Sequence, residues 1–310
     1  MKKEEKTALY HLPGLFEFYD FYKVFLPVWR QHREWFYSWC DIASIYGAPA
    51  DCLWGGGRAG FGDADVHDLL SLLEEYNISA RLTFSNSLLV ARHLSDKKCN
   101  ELCRLFSRGA ETDSNGAFYP HNGIILHSDL LASYIKEKYP SFYLVSSTTK
   151  VLTSFEDFKA ELDRDDFSFV VPDFRLNRDF DHLAGLSQKE KDKVEFLSNE
   201  CCNFYCKERK TCYENVSRMN LGEDVIAHKC SSPLGQNGYK FSLAMKNPAF
   251  IGIEDIQEKY LPLGFSNFKI EGRGLGSAIL LEFILYYMTK REYQLELREE
   301  IYLDSMLDLF

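Results

Sequence analysis

The sequence lacks the features that would place it in a membrane or on nucleic acid. It has no apolar run near the ~20 residues that a membrane-spanning helix needs, so we expect no membrane contact. It has no excess of basic residues, because 36 Lys and Arg face 46 Asp and Glu and the formal net charge is −10. A chain this acidic repels phosphate backbones, which makes nucleic acid an unfavoured partner. The charged stretch from Met1 to Lys6 leads into no signal-type apolar region, and this predicts a cytoplasmic location.

Several catalytic motifs are also missing. The sequence has no His-Glu-x-x-His zinc motif, no Gly-x-Ser-x-Gly nucleophile elbow and no phosphate-binding P-loop. The cysteine spacing of radical-SAM enzymes is absent, since Arg209 stands where the third cysteine would be. The odd count of nine cysteines argues against a closed set of disulfides. These thiols are therefore expected to pack in the core or to bind metal.

Short apolar runs alternate with helical patterns along the 310 residues. Such alternation predicts parallel strands joined by helices. Eight strands are predicted, at about 8–10, 41–46, 79–84, 123–126, 142–145, 167–171, 194–197 and 267–270. The count favours an α/β fold of the (β/α)8 TIM-like barrel type, with a doubly wound open sheet as the alternative. We expect one domain over 1–310, with a cysteine-containing insertion at about 201–263 and a C-terminal helical tail at about 290–310.

Polar residues follow most of the predicted strands, where a barrel of this type carries its chemistry. They are His11, Asn86, His127, Ser146, Ser147, Thr148, Asp173, Asn199, Glu200, Glu271 and Arg273. Each of them could instead cap the helix that follows, because Ser, Asp and Asn are favoured N-caps. A Gly-rich loop, Gly55-Gly-Gly-Arg58, could bind an anion or be a flexible turn.

Five cysteines, Cys201, Cys202, Cys206, Cys212 and Cys230, follow the seventh strand. Cys202 and Cys206 are spaced so that both thiolates can face one ion or cluster. Cys52 would lie on the loop after strand two, on the same rim of a barrel. Four such thiolates would suit a [4Fe–4S] cluster or a structural zinc, and the alternative is ordinary buried thiols. Cys40, Cys99 and Cys103 fit the interiors of elements.

Four segments resemble the collagenase-like peptidase U-32 family. They are Phe268-Lys-Ile-Glu-Gly-Arg273, Asn199-Glu-Cys-Cys-Asn-Phe-Tyr-Cys206, Val145-Ser-Ser-Thr-Thr149, and Asp41–Gly47 with Cys52 and Arg58 beyond it. The resemblance runs from about Leu9 to Tyr287. It implies a TIM-like barrel that binds a [4Fe–4S] cluster through Cys52, Cys202, Cys206 and Cys230. Many relatives have His where Cys212 stands, and Cys201 is a second possible replacement.

The resemblance implies oxygen-independent hydroxylation, or a related redox step, on a small anionic molecule. In that hypothesis Arg58 and Arg273 pair with substrate carboxylates, and Asn86, Asn199 and Glu200 contact the substrate. Glu271, His127 and Asp173 are then the candidates for proton transfer. Two alternatives stay open, a peptidase of the same family label and a non-catalytic metal-binding partner subunit.

Overall fold

The computed structural model describes residues 6–57, 62, 64–107, 121–226, 228–230 and 238–307, with side chains as far as Leu303. Its eight strands form one parallel sheet in the order β6-β5-β4-β3-β2-β1-β8-β7. A parallel bridge between Val170 and Val194 joins β6 to the chain just before β7, so the sheet is a nearly closed ring. The strands are β1 (Ala8–Pro13), β2 (Cys40–Gly47), β3 (Ser79–Phe84), β4 (Gly123–Leu126), β5 (Tyr143–Ser146), β6 (Phe169–Val170), β7 (Glu195–Leu197) and β8 (Asn267–Lys269). The predicted (β/α)8 barrel is confirmed.

Helices follow the strands and cover the outside of the barrel. The bounds are α1 (Tyr19–Gln31), α2 (Val66–Tyr76), α3 (Lys97–Phe106), α4 (Asp129–Lys138), α5 (Phe155–Leu162), α6 (Phe180–Ala184), α7 (Gln188–Lys193), α8 (Arg209–Asn220), α9 (Phe241–Ala244), α10 (Ile253–Asp255), α11 (Leu261–Leu263), α12 (Ser277–Tyr287) and α13 (Gln294–Leu307). A π-helical turn, Ile256–Tyr260, links α10 to α11. Within the described ranges, no helix is both long enough and apolar enough to cross a bilayer.

Side-chain caps set the starts of three barrel helices. Asp65 accepts a hydrogen bond from the backbone N–H of His67, Ser128 accepts one from Leu131, and Ser154 accepts one from Asp157. Each cap satisfies a backbone donor that the first helical turn leaves without an intrahelical partner. The strand-to-helix turns are therefore encoded locally, at the end of the barrel where the strands finish.

The two faces of the strands bury different kinds of side chain. Outward-facing residues such as Tyr10, Phe196 and Phe268 belong to the large apolar core between the sheet and the helices. A smaller apolar cluster comes from Tyr46, Ile125, Val145, Val171 and Leu197, which have the opposite parity along their strands and fill the top of the barrel interior.

Below that cluster, the barrel interior holds buried ions. Glu195 of β7 lies 2.5 Å from Arg81 Nη1 on β3 and 3.3 Å from Lys269 Nζ on β8, and His11 Nε2 of β1 is 3.6 Å away. Burial alone would raise the pKa of the Glu195 carboxyl, but the neighbouring cations, Arg81 foremost, hold that pKa well below its usual range. Burial lowers the pKa of His11 to about 3, so this side chain is neutral at pH 7. The one carboxylate therefore compensates the buried charges of Arg81 and Lys269.

The chain between β7 and β8 is the longest connection in the barrel, spanning residues 198–266. It contains α8, which packs over the mouth, and its Asn220 side chain donates to the carbonyl of Gly55 in the loop after β2. After β8 the chain forms α12 and then the C-terminal helix α13, whose Arg298 pairs with Glu282 of α12. Through Asn220, the connection between β7 and β8 is attached to the loop after β2.

Candidate functional site

A cavity of about 350 Å³ opens at the carboxyl ends of the strands. Its floor is the apolar layer of the barrel interior, and its walls come from the loops after β2, β3, β5, β7 and β8. The lining residues that carry chemistry are Tyr46, Thr83, Ser85, Ser147, Thr148, Thr149, Glu200, Cys201, Tyr213, Lys269, Glu271 and Arg273. This is the end of a (β/α)8 barrel at which active sites are found, and the volume suits a small molecule.

Lys269 is a charged side chain on the cavity floor. Its Nζ lies 3.5 Å from the centre of the Tyr46 ring and 3.3 Å from Glu195 Oε1. Burial lowers the pKa of this amine to about 8; Glu195 opposes the shift, and the charge of Arg81 adds to it. Contact with the Tyr46 ring favours the charged form, but burial in an apolar layer makes this amine lose its proton more readily than an ordinary lysine.

Arg273 lies on the wall formed by the loop after β8. Its Nε donates to Glu17 Oε1 at 2.8 Å, and its Nη2 donates to the Ala48 carbonyl at 3.0 Å. These contacts fix the plane of the guanidinium. The Nη1 atom points toward Gly57, 3.6 Å from where a Cβ at that residue would stand. Because Gly57 has no side chain, the wall stays open beside the guanidinium.

Two hydroxyls share this part of the wall. Ser85 Oγ and Thr83 Oγ1 are buried and have no hydrogen-bond partner among the residues that the structure describes. Ser85 Oγ lies 3.8 Å from the same hypothetical Cβ of Gly57. The Thr83 atom nearest that Cβ is the methyl Cγ2, at 3.9 Å. An unpartnered buried hydroxyl costs about 1–3 kcal/mol, so Arg273, Ser85, Thr83 and Gly57 line a part of the wall where an acceptor atom of a ligand would be favoured. We call these four residues the oxyanion pocket.

The opposite wall gathers acidic groups and a thiol. The ligand atoms of Glu200, Cys201 and Glu271 lie within 4.8 Å of one another. The Cys201 thiol donates to Glu271 Oε1 at 3.2 Å and to Glu200 Oε1 at 3.6 Å. Glu271 Oε2 also accepts from the backbone N–H of Cys201 at 3.4 Å. This trio can exchange protons with a molecule in the cavity.

Arg209 of α8 holds this acidic wall from behind. Its side chain is fully buried, with Nη2 2.5 Å from Glu200 Oε2 and Nε 3.5 Å from Asp173 Oδ2. The guanidinium also lies over the ring of Phe174, 4.8 Å from the ring centre. Asp173 caps the turn after β6 through the N–H of Arg175. Burial raises the pKa of the Asp173 carboxyl, although Arg209 opposes the shift.

Asn199 joins the ends of β7 and β8. Its Oδ1 accepts from the backbone N–H of Glu271 at 2.7 Å, and its Nδ2 donates to the carbonyl of Glu271 at 3.1 Å. The amide thus mimics one more rung of the sheet. Its effect is to place Glu271 opposite Cys201.

Two other predicted polar residues, His127 and Asn86, do not line the cavity. His127 Nδ1 lies 3.0 Å from Thr149 Oγ1, and burial lowers the pKa of His127 to about 4, with Lys150 adding to the shift. Asn86 is fully buried, and its Nδ2 donates to the carbonyls of Leu53 and Ser217. Arg58 lies outside the described residues. His127 can reach the cavity through Thr149, whereas Asn86 staples the loop after β2 to α8.

The four cysteines predicted as cluster ligands lie in different surroundings. Cys52 is in the main apolar core, with its Sγ 3.5 Å from Cys99 Sγ. Their hydrogen bond lowers the pKa of Cys52 and raises that of Cys99. Cys202 packs against Phe174 and Ala249. Cys206 and Cys230 are half-buried, and Arg175 holds the carbonyl of Cys206.

This arrangement bears on the expected metal. No three of these four cysteines, all of which are described, bring their sulfurs within 4.8 Å of one another, so as placed they do not fit a single zinc ion. A [4Fe–4S] cluster holds its thiolates further apart than one ion does. Even so, none of the four lines the mouth cavity, where Cys201 is the cysteine on the wall. The placement of Cys52 in the core does not fit a shared cluster site, and the ligand set stays a prediction.

Comparison with known proteins gives one structural similarity. No protein-family model and no curated protein matches the chain. The chain is similar to a solved structure described as the U32 peptidase Mk0906, over 88% of this chain and 95% of that one. The TM-score is 0.49 and the sequence identity is 12%.

Four functional candidates escaped the sequence reasoning: Lys269, Ser85, Thr83 and Arg209. Lys269 and Arg209 carried a signal in the sequence, since Lys269 directly follows the core residue Phe268 in a predicted strand and Arg209 stands three residues after Cys206. Ser85 and Thr83 carried none, because only the folded chain reveals that their hydroxyls lack partners.

Proposed function

We propose that the barrel mouth is the active site of an enzyme acting on a small molecule that bears a carboxylate. The oxyanion pocket is the observation that carries this proposal. It combines a fixed guanidinium, two buried hydroxyls without partners in the described chain, and an open wall at Gly57. A carboxylate beside Gly57 would accept from Arg273 Nη1 and from the Ser85 hydroxyl, which both face that space.

Charge and shape support the same ligand. All four buried cations have a carboxylate partner, but Arg209 and Arg81 lie off the cavity lining, whereas Arg273 and Lys269, which pair with Glu17 and Glu195, both line it. The apolar floor removes water, which strengthens each polar contact above it. A net charge of −10 on the whole chain does not oppose this, because the field at close range comes from the pocket.

Chemistry would come from the wall opposite the oxyanion pocket. The Cys201 thiol donates a hydrogen bond to Glu271, and Glu200 lies beside them. With the carboxylate held at Arg273, the rest of a small substrate extends across the floor toward this trio. Proton transfer between substrate and Glu271 is the step that these residues can support.

We also propose oxygen-independent hydroxylation with a [4Fe–4S] cluster, and only the sequence resemblance supports this part of the proposal. Iron and acid-labile sulfide analysis of anaerobically purified protein tests it. Stoichiometric iron and sulfide would support the cluster and require the cysteines to regroup from the positions described above. Protein without iron would leave the carboxylate site standing and remove the cluster.

Titration calorimetry with pyruvate, and with its neutral amide as the comparison ligand, tests the carboxylate site. We expect pyruvate to bind and Ser85→Ala to weaken binding about tenfold, since one hydrogen bond to a charged group is worth about 1.5–3 kcal/mol. Ser198→Ala is the matched control, because Ser198 Oγ is also buried and without a partner in the described chain but lies off the cavity lining. Equal affinity of the two variants, or equal binding of pyruvate and the amide, would contradict the proposal.

A further inference from the structure

We propose that Lys269 is a catalytic amine that forms an imine with the carbonyl carbon of a 2-oxo carboxylate in the barrel mouth. The proposal rests on the proposed function for the position of the carboxylate. It adds the substrate class, a ketone next to a carboxylate, and the residue that bonds to it.

The position of Lys269 at the end of β8 is the first argument. Its neighbour Phe268 faces the helices, so strand parity turns Lys269 inward. There its side chain lines the cavity while only 6% of the residue is exposed. Lys269 and the oxyanion pocket line the same cavity, as the proposal requires of an amine that reacts with a bound 2-oxo carboxylate.

The surroundings of the amine are the second argument. Tyr46, Ile125, Val171 and Leu197 form the floor around it and also line the cavity. Glu195, its carboxylate partner, makes a shorter contact with Arg81, at 2.5 Å, than with Lys269, at 3.3 Å. Glu195 therefore interacts more strongly with Arg81 than with Lys269.

The protonation state is consistent with nucleophilic use. A pKa of about 8 leaves roughly one amine in ten neutral at pH 7, whereas an ordinary lysine, with a pKa near ~10.4, has far fewer than one in a hundred. Desolvation in an apolar pocket is a known way to activate a lysine for imine formation. The structure supplies that desolvation through the floor residues.

The bond changes balance without an added oxidant or reductant. The neutral amine attacks the ketone carbon, a C–N bond forms, and the carbonyl electron pair moves to oxygen. The oxygen takes one proton from the attacking nitrogen and a second from an acid. It leaves as water while nitrogen forms the C=N bond of a protonated imine. On the cavity wall, the Cys201 thiol that donates to Glu271 holds a proton, and this hydrogen-bonded pair is the source we assign for the second proton.

Reductive trapping tests this chemistry directly. The protein is incubated at pH 7 with pyruvate and sodium cyanoborohydride, which adds hydride to a protonated imine. We expect one adduct whose added mass equals pyruvic acid less one oxygen atom, and peptide mapping should place it on Lys269. Lys269→Met should abolish the adduct, whereas Lys259→Met, which removes an exposed lysine, should retain it.

The outcomes separate the two proposals. Calorimetric binding of pyruvate without an adduct on Lys269 would overturn the imine and leave the carboxylate site. An adduct spread over exposed lysines would also overturn it. Absence of pyruvate binding would remove the carboxylate site itself. If Lys269→Met fails to fold, peptide mapping of the adduct on the wild-type protein still shows whether Lys269 forms the imine. Ser85→Ala should reduce trapping of pyruvate more than trapping of its neutral amide.

Discussion

Glu195→Gln is the substitution that most directly tests the charged interior of the barrel. The change keeps the size of the side chain and removes its charge. Glu195 is fully buried, 2.5 Å from Arg81 and 3.3 Å from Lys269. Removing one partner of a buried ion pair costs about 3–5 kcal/mol, because the other charge is left uncompensated.

The two cations respond differently to that loss. Lys269 has a pKa already lowered to about 8, so it can release its proton and lose its charge at small cost. Arg81 stays protonated at any accessible pH, and it is as deeply buried as its partner. The destabilisation therefore comes mainly from Arg81, and we expect about 3–5 kcal/mol.

Urea unfolding followed by circular dichroism, with reductant present for the nine cysteines, measures the effect. Glu75→Gln is the matched control, because Glu75 pairs with Arg30 at 3.1 Å with both side chains about half exposed. An exposed pair of this kind contributes about 0.2–1 kcal/mol. If Glu195→Gln costs no more than Glu75→Gln at an unchanged denaturant slope, the reasoning about the barrel interior is wrong.

Two further predictions concern the mouth. The pKa of His127 is lowered to about 4 from 6.5, so the unfolded chain takes up a proton there before the folded chain does as the pH falls. The free energy of unfolding should then drop by about 2 kcal/mol between pH 7 and pH 5 because of this histidine. In urea titrations at the two pH values, His127→Gln should lose that much less stability than the wild type. Equal losses in the two proteins would contradict the prediction. Gly56→Ala would bring a Cβ within 2.2 Å of the Ser85 carbonyl oxygen, so we expect a lower melting temperature and weaker pyruvate binding. Gly274→Ala, with no atom within 4 Å of its Cβ, should change neither, and equal behaviour of the two would show that the loop gives way freely.

The barrel itself was predictable because its signals are local. Apolar runs of strand length alternate with helical patterns, and capping residues such as Asp65, Ser128 and Ser154 mark where helices start. The predicted strands at 79–84 and 123–126 match the observed β3 and β4. A (β/α)8 pattern can be recognised when the hydrophobic period, the length of each segment and the capping residues agree.

The site was less predictable because its geometry depends on the three-dimensional structure. Glu200, Glu271 and Arg273 were found from their positions at strand ends, and they do line the mouth. Asn86 occupies the same kind of position, yet its amide is committed to backbone carbonyls. Strand-end position does not distinguish a side chain that faces the cavity from one that staples two loops. The cluster ligands remain a prediction from resemblance.

The buried ions also bear on how the chain assembles. Arg81 leaves the ribosome more than a hundred residues before Glu195, and Lys269 comes later still. The first half of the barrel, made alone, holds Arg81 facing an interior with no counter-charge. The first strands gain little free energy by forming the ring early, because closure over long sequence separations is slow and the stabilising contacts form only when the last strands are present. The ring is therefore expected to close late and all at once, with β7 and β8 bringing the charge and the final hydrogen bonds together.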